Sequence, residues 1–346
     1  MIKINFWGDG KGESILLRLP DGQYGVVDCY ASSPYDISSN HICMFLEEFN
    51  IRKLLFLCWT HPHNDHSRGM LTLLKKYAGN IGYFWKFGGT SFQHLYAYYR
   101  SSKECCENQD FTRDNGYLIS IFTFLNENRR SFKQIRLVTA HKELYRDNTH
   151  ALVIEGIAPI DGIIEEYNSY LGKVFAGTLK EDLFKTQRHN MISAALLIKY
   201  GDARILLAGD TENKTWKILF NEECYSLGKH ACQIVKVPHH GSKNAFYEDY
   251  WREWTENTET SAVITSLLSH KLPSPEIANR IKSYASAVYI LGESQVKSIS
   301  NRGFRQKNLI NRGLNLLGAE FPSRTERVEL SITQNGNLAH LRCGLE

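Results

Sequence analysis

The segment Thr60-His61-Pro62-His63-Asn64-Asp65-His66 puts three imidazoles and a carboxylate within a few residues of one another. The apolar run Leu54-Leu55-Phe56-Leu57-Cys58-Trp59 leads straight into it. That run is too short for a helix and suits a buried strand. Residues just past a strand's end are rigidly supported yet accessible, as a metal site requires. His61 and His63 stand two apart, so their rings can converge on one ion. Asp65 and His66 fall in the turn that opens a helix expected over Ser67–Tyr77, and can reach a second ion. Imidazole and carboxylate are borderline-to-hard ligands, suited to zinc, manganese or iron. A single histidine in a core strand is usually structural. Three at this spacing, beside an aspartate, predict metal.

The elements that must hold this segment read as two strand-rich parts. Ile2–Phe6 and Ser14–Leu19 alternate, Pro20-Asp21-Gly22 is a hairpin signal, and Tyr24–Val27 runs up to Asp28. A helix is expected over Ile37–Phe49. The second part begins near Ile192 with Ala194–Tyr200 and Arg204–Ala208, then Gln233–Val237, Ala262–Ser266 and Ala287–Leu291. A helix is expected near Pro275–Tyr284, and Val328–Thr333 with Leu338–Arg342 reads as a closing hairpin. Residues 67–188 carry the weakest pattern, with helices expected at Gln93–Arg100, Tyr117–Asn126 and Ile163–Lys173 and a strand at Ala151–Ala158. The expectation is a single α/β domain over 1–346, a four-layer αββα sandwich with a variable helical insert at about 67–188. That insert is the surface on which a protein partner would be sought.

His61-Pro62-His63-Asn64-Asp65-His66 resembles the HxHxDH signature of the metallo-β-lactamase superfamily. Other elements of that superfamily follow in order. Asp28, ending Gly25-Val26-Val27-Asp28, resembles the aspartate that braces the metal loop. Asp210, in Leu206-Leu207-Ala208-Gly209-Asp210, resembles the carboxylate that bridges two metals. Val237-Pro238-His239-His240-Gly241-Ser242 resembles the closing motif, which makes His240 a ligand and His239 a neighbour of the ligands or a substrate group. The finer resemblance is to the β-lactamase-like domain of ComEC-type proteins and their free-standing relatives. Ile15–Gly22 reads ILLRLPDG against "ILIRLPDG", and Val237–Lys243 reads VPHHGSK as they do. The likeness is good over 1–66 and 190–295 and poor over 67–188.

Two departures stand out. Many superfamily members carry a further histidine just before the Gly-Asp strand, where the ComEC type tends to asparagine; here His189 and Asn190 are both present. His189 is therefore a candidate ligand, the alternative being a surface histidine. Where the family reads "GHPHPEV", this chain has Ser269-His270-Lys271-Leu272-Pro273, so His270 fills the missing place only if the loop is rearranged.

With two divalent ions, zinc or manganese, the resemblance implies a hydrolase that works through a metal-bridging hydroxide, with Asp65 and Asp210 as the catalytic carboxylates. Gly241-Ser242-Lys243-Asn244, expected to open a helix, would offer Ser242 and Lys243 to a phosphate. The chain of 346 residues has a net charge of +4, a slight bias toward anionic partners. Its cations gather between Lys297 and Arg312, where Arg302, Arg305 and Lys307 flank Phe304. Cations interleaved with an aromatic suit a nucleic-acid backbone and its bases. The leading expectation is a phosphodiesterase or nuclease acting on nucleic acid or nucleotide. A thioester, lactone or lactam hydrolase and a regulatory or binding module are the alternatives. No apolar run is long enough to cross a membrane, and the first residues enter a strand pattern without a signal-peptide core, so a cytoplasmic protein with reduced cysteines is expected.

Overall fold

The computed structural model describes residues 1–87, 93–99, 111–221, 231–292 and 326–344, with 111–115 and 339–344 described by backbone alone. The basic stretch with Arg302, Arg305 and Lys307 lies outside the described residues.

In chain order the strands are β1 (Ile2–Gly8), β2 (Glu13–Arg18), β3 (Tyr24–Val27), β4 (Leu54–Trp59), β5 (Ile81–Phe87), β6 (Gln134–Val138), β7 (Lys142–Asp147) and β8 (Leu152–Ala158). They continue with β9 (Ala195–Tyr200), β10 (Ala203–Leu207), β11 (Ile234–Lys236), β12 (Ser261–Thr265), β13 (Ala287–Leu291), β14 (Arg327–Ile332) and β15 (Leu338–Gly344). The helices are α1 (His41–Glu48), α2 (Asn64–Ser67), α3 (Met70–Tyr77), α4 (93–99), α5 (Phe111–Glu127) and α6 (Asp161–Phe175), then α7 (Asn213–Asn221), α8 (Glu248–Thr255) and α9 (Pro275–Tyr284). One sheet runs β15-β14-β1-β2-β3-β4-β5-β6 and the other β13-β12-β11-β10-β9-β8-β7.

Strands buried on both faces explain the near-continuous apolar runs of the sequence. In the first sheet, Ile4, Phe6, Ile15, Leu17, Val27, Phe56 and Cys58 meet the second sheet through Leu196, Ile198, Ile205 and Leu207. The alternate residues Leu16, Val26, Leu57 and Trp59 turn outward onto a layer built from α1, α3, α5 and α6. On the far side Leu197, Leu206 and Val235 pack under Trp216, Tyr250, Trp251 and Ile281 of α7, α8 and α9. Helix, sheet, sheet, helix: the expected four-layer αββα sandwich is what forms.

Residues 67–188 differ from the helical insert expected. They supply β5, β6, β7 and β8, two strands to each sheet, as well as helices. The strand signal was weak for a physical reason. β6 and β7 are edge strands with mostly half-exposed residues, and β5 interleaves aromatics with a glycine and a lysine. The helix expected over Ser67–Tyr77 is broken in two. Gly69 permits the break: its N–H donates to the Cys29 carbonyl at 2.8 Å, and a Cβ there would lie 2.9 Å from both Cys29 Sγ and the Tyr30 carbonyl carbon. The helix expected from Ile37 starts at His41, because Asn40 caps it by accepting from the Cys43 N–H at 3.1 Å.

Parallel pairing decides where chemistry can sit. β3 runs parallel to β4, and β10, β11 and β12 run parallel to one another. Asp28, Thr60, Asp210 and the 237–242 turn all follow the carboxyl ends of these strands, the edge where open α/β sheets bind ligands. Among the described residues no helix is long and apolar enough to cross a membrane.

Candidate metal centre

Asp28 is the hinge of the site's construction. It follows β3 with φ 56° and is fully buried. One carboxylate oxygen accepts the Thr60 N–H at 2.8 Å; the other accepts the Thr60 hydroxyl at 2.6 Å and His66 Nδ1–H at 2.7 Å. The loop after β4 is thereby tied to the end of β3. The two parts of the chain meet here too, since the Ala194 N–H donates to the Thr60 carbonyl at 3.0 Å.

Each of four histidines has one ring nitrogen tied to the protein and the other turned inward. Thr60 gives its hydroxyl proton to Asp28, so its oxygen accepts His61 Nδ1–H at 3.0 Å and leaves Nε2 inward. His63 Nε2–H donates to the Thr186 carbonyl at 2.9 Å, leaving Nδ1, which lies 2.9 Å from His61 Nε2. Two imidazole nitrogens that close call for a proton or a cation between them. His66, held by Asp28, leaves Nε2 buried with no hydrogen-bond partner. His240 Nδ1–H donates to the Thr265 carbonyl at 2.7 Å, which leaves its Nε2. Fixing the outer nitrogen is how proteins set the tautomer of a ligating histidine.

The inward atoms fall into two groups that share Asp210. Asp65, His66, Asp210 and His240 form one, and His61, His63 and Asp210 the other, with ligand atoms within 4.8 Å of one another. Asp210 lies 3.3 Å from His66 Nε2, 3.6 Å from His240 Nε2 and 3.9 Å from His61 Nε2. Its Oδ1 is buried and lacks a hydrogen-bond partner. Unpartnered buried acceptors are rare enough to need an explanation, and two divalent cations supply one. Glu13, Asp28 and His66 converge as well. That set is a brace, because His66 Nδ1 already donates to Asp28 and Glu13 faces a lysine.

The electrostatics favour cations. Burial works against a proton on His66, yet Asp210, Asp65, Glu13 and Asp28 together hold its pKa well above the ordinary histidine range. Burial would raise Asp210, but His240, His66 and His239 hold it well below the ordinary carboxylate range. His61 and His63 are pushed down, first by burial and then, at His61, by the imidazoles around it. On His66 and His240 the surrounding carboxylates favour a proton, and since metal binding needs neutral imidazoles beside ionised carboxylates, a cation would take that proton's place.

His239 and His240 occupy the left-handed region at φ 46° and 53°, a strained backbone for residues with a Cβ. The His239 N–H, donating to the Gly209 carbonyl at 3.0 Å, helps hold that turn beside Asp210. His239 itself sits at the rim, Nε2 3.8 Å from Asp210 and Nδ1 3.5 Å from a Glu212 carboxylate oxygen.

Other candidates fall elsewhere. Both nitrogens of His189 are taken by protein groups, Nδ1 by the Tyr167 hydroxyl and Nε2 by the Leu183 carbonyl, each at 2.7 Å. No lone pair is left for an ion, and His189 belongs to neither ligand group. Its neighbour Asn190 reaches the rim instead, with Nδ2 3.3 Å from His239 Nε2. Ser242 donates to Asn244 at 2.6 Å, Lys243 pairs with Glu276 at the surface, and Lys243–Ala245 makes a single turn rather than the helix expected. His270 is exposed and bonded to Ser269, outside both groups.

Sequence reasoning missed the floor of the site. Lys236 and Glu13 are fully buried and paired at 2.7 Å. Lys236 also donates to the Gly209 carbonyl at 3.0 Å and lies 3.6 Å from Asp210 Oδ1. A lysine inside Ile234-Val235-Lys236-Val237 was the available signal, since a charge in a central strand needs a buried partner. The Ser193 hydroxyl accepts the Asp210 N–H at 2.9 Å and so steadies the backbone that carries the shared carboxylate.

Two mixed sheets lie face to face, each covered on its outer side by helices. This is the αββα sandwich of the metallo-β-lactamase superfamily. No family model matches the sequence, and no curated protein does. Among solved structures, a metallo-β-lactamase fold protein from Bacillus subtilis, YhfI, is 10% identical over 84% of this chain and 96% of its own, with a TM-score of 0.42. A metal-dependent hydrolase of the β-lactamase superfamily, Tm1679, is 11% identical over 84% and 95%, also at 0.42. A long-form RNase Z from yeast is 11% identical over 99% of this chain and 49% of its own, at 0.44. The fold assignment rests on topology and not on these likenesses.

The buried pair yields a sharp expectation. Lys236→Met leaves Glu13 uncompensated and destabilises the chain by about 3–5 kcal/mol. Adding Glu13→Gln recovers most of that loss in urea denaturation. Additive losses in the double variant would mean that the pair is not coupled.

Proposed function

We propose that the chain is a binuclear metal-dependent hydrolase of phosphodiesters, in nucleic acid or nucleotide. One observation carries the hydrolase reading: Asp210 belongs to two sets of imidazoles whose inward nitrogens lie within 4.8 Å of the other ligand atoms of their set. Divalent ions held there, zinc or manganese, supply Lewis acidity and lower the pKa of water. Asp210 and Asp65 would balance the charge of the centre as its catalytic carboxylates, and Asp65, with Oδ2 3.0 Å from His240 Nε2 and 3.6 Å from His66 Nε2, would share in holding the ion beside those rings. His239, on the rim beside Asp210 and outside both ligand groups, is the imidazole left to face the substrate.

Phosphodiester as the substrate class is supported by the ComEC-like motifs and by the cations of 297–312. Asp210→Asn and His63→Ala should each reduce hydrolysis of bis(p-nitrophenyl) phosphate to background while circular dichroism stays unchanged. Turnover of a thioester or lactone in preference to the diester would move the reading to carbon-centred hydrolysis. Absence of turnover on all three, at full metal occupancy, would favour a binding module.

A polymeric substrate makes a second demand. If Arg302, Arg305 and Lys307 follow a nucleic-acid backbone, affinity falls by roughly 0.7 log units per log unit of salt for each single-strand phosphate neutralised. Arg302→Gln with Arg305→Gln should flatten that slope and raise KM on oligonucleotides, leaving the small diester nearly untouched. An equal loss on both substrates would place the damage in the fold.

A further inference from the structure

His189 is fully buried, spends both nitrogens on protein and stands beside the centre, its ring 5.4 Å from that of His63. The Leu183 carbonyl can only accept, so His189 Nε2 carries the proton and Nδ1 accepts from the Tyr167 hydroxyl. The Tyr99 hydroxyl donates to the same carbonyl at 3.2 Å. Tyr99 lies on α4 and Tyr167 on α6, both fully buried. Two helices thus grip the short 183–189 segment at both ends. Its middle residue, Thr186, accepts His63 Nε2–H on its carbonyl and takes the Tyr170 hydroxyl on its own at 3.1 Å. The segment offers the centre no ligand. It offers one backbone carbonyl, in a fixed place.

We infer that His189 is a positioning residue for one half of the metal centre. The clamp Tyr167–His189–Leu183 pins the Thr186 carbonyl, which fixes the His63 tautomer and turns its Nδ1 toward His61 Nε2. The other half does not depend on this clamp, because His66 leans on Asp28 and His240 on the Thr265 carbonyl. A buried histidine that served only packing would weaken both halves equally, through overall stability. A clamp acts on one alone.

The inference rests on the binuclear reading, and the experiment separates the two. Metal-free wild type, His189→Ala and Tyr167→Phe are titrated with zinc against a chromophoric chelator, and the ring-nitrogen shifts of His63 are followed by NMR. Tyr167→Phe keeps the buried ring and removes only the hydroxyl, so it remains informative if His189→Ala does not fold. The wild type should bind two ions and show one His63 tautomer, protonated at Nε2. In the variants one binding step should weaken by about 10–100-fold, as for other groups that orient ligating histidines. The second step should be unchanged and the His63 tautomer mixed. Equal weakening of both steps, or a step and tautomer that match wild type, would overturn the clamp. A wild type that binds fewer than two ions would overturn the binuclear reading beneath it.

Discussion

An imidazole buried away from water has two nitrogens, and one must be committed to the protein before the other can be aimed. In this chain the constraint is met four times by four different acceptors: the Thr60 hydroxyl, the Asp28 carboxylate, and the Thr186 and Thr265 carbonyls. Those acceptors sit on separate elements, after β4, after β3, in the segment before β9, and at the end of β12. The site can therefore exist only if both sheets and the loops between them are in register. Parallel pairing of β3 with β4, and of β10 with β11 and β12, brings the loops to one edge. The αββα packing sets that edge of each sheet beside the other.

The second requirement is charge. Asp28, Asp65, Asp210 and Glu13 are buried together, with Lys236 as the buried ammonium among them. The lysine pairs with Glu13, the brace holds Asp28 against His66, and Asp65 and Asp210 remain turned toward the imidazoles. Carboxylates left in this state inside a protein are costly unless a cation meets them. His66 Nε2 and Asp210 Oδ1, the inward ligand atoms without a hydrogen-bond partner, lie among these carboxylates.

The ligand loop was legible because His61, His63, Asp65 and His66 are contiguous and follow an apolar strand, so spacing alone places them together. Asp210 and His240 are distant in sequence, and only motif resemblance connected them. The fold class was legible from strands buried on both faces, which leave long apolar runs. β6 and β7 were not, since edge strands bury little and leave no such run. His189 shows the limit of motif reading. Its position in the chain suits a ligand, but whether a histidine keeps a free nitrogen depends on Tyr167 and the Leu183 carbonyl, which spacing cannot show. Glu13 and Lys236 lie more than two hundred residues apart, so a lysine within an apolar strand signals a buried partner but spacing cannot name Glu13 as that partner.

Two cations sharing Asp210 would account for the whole arrangement. The direct measurement is an anomalous-difference map from crystals of the wild-type chain grown with manganese or zinc. Two peaks are predicted, one beside His61 and His63 and one beside Asp65, His66 and His240, with the Asp210 carboxylate between them. A single peak, or a peak bound by His189 Nδ1 with the Tyr167 contact broken, would rule out a carboxylate shared by two ions.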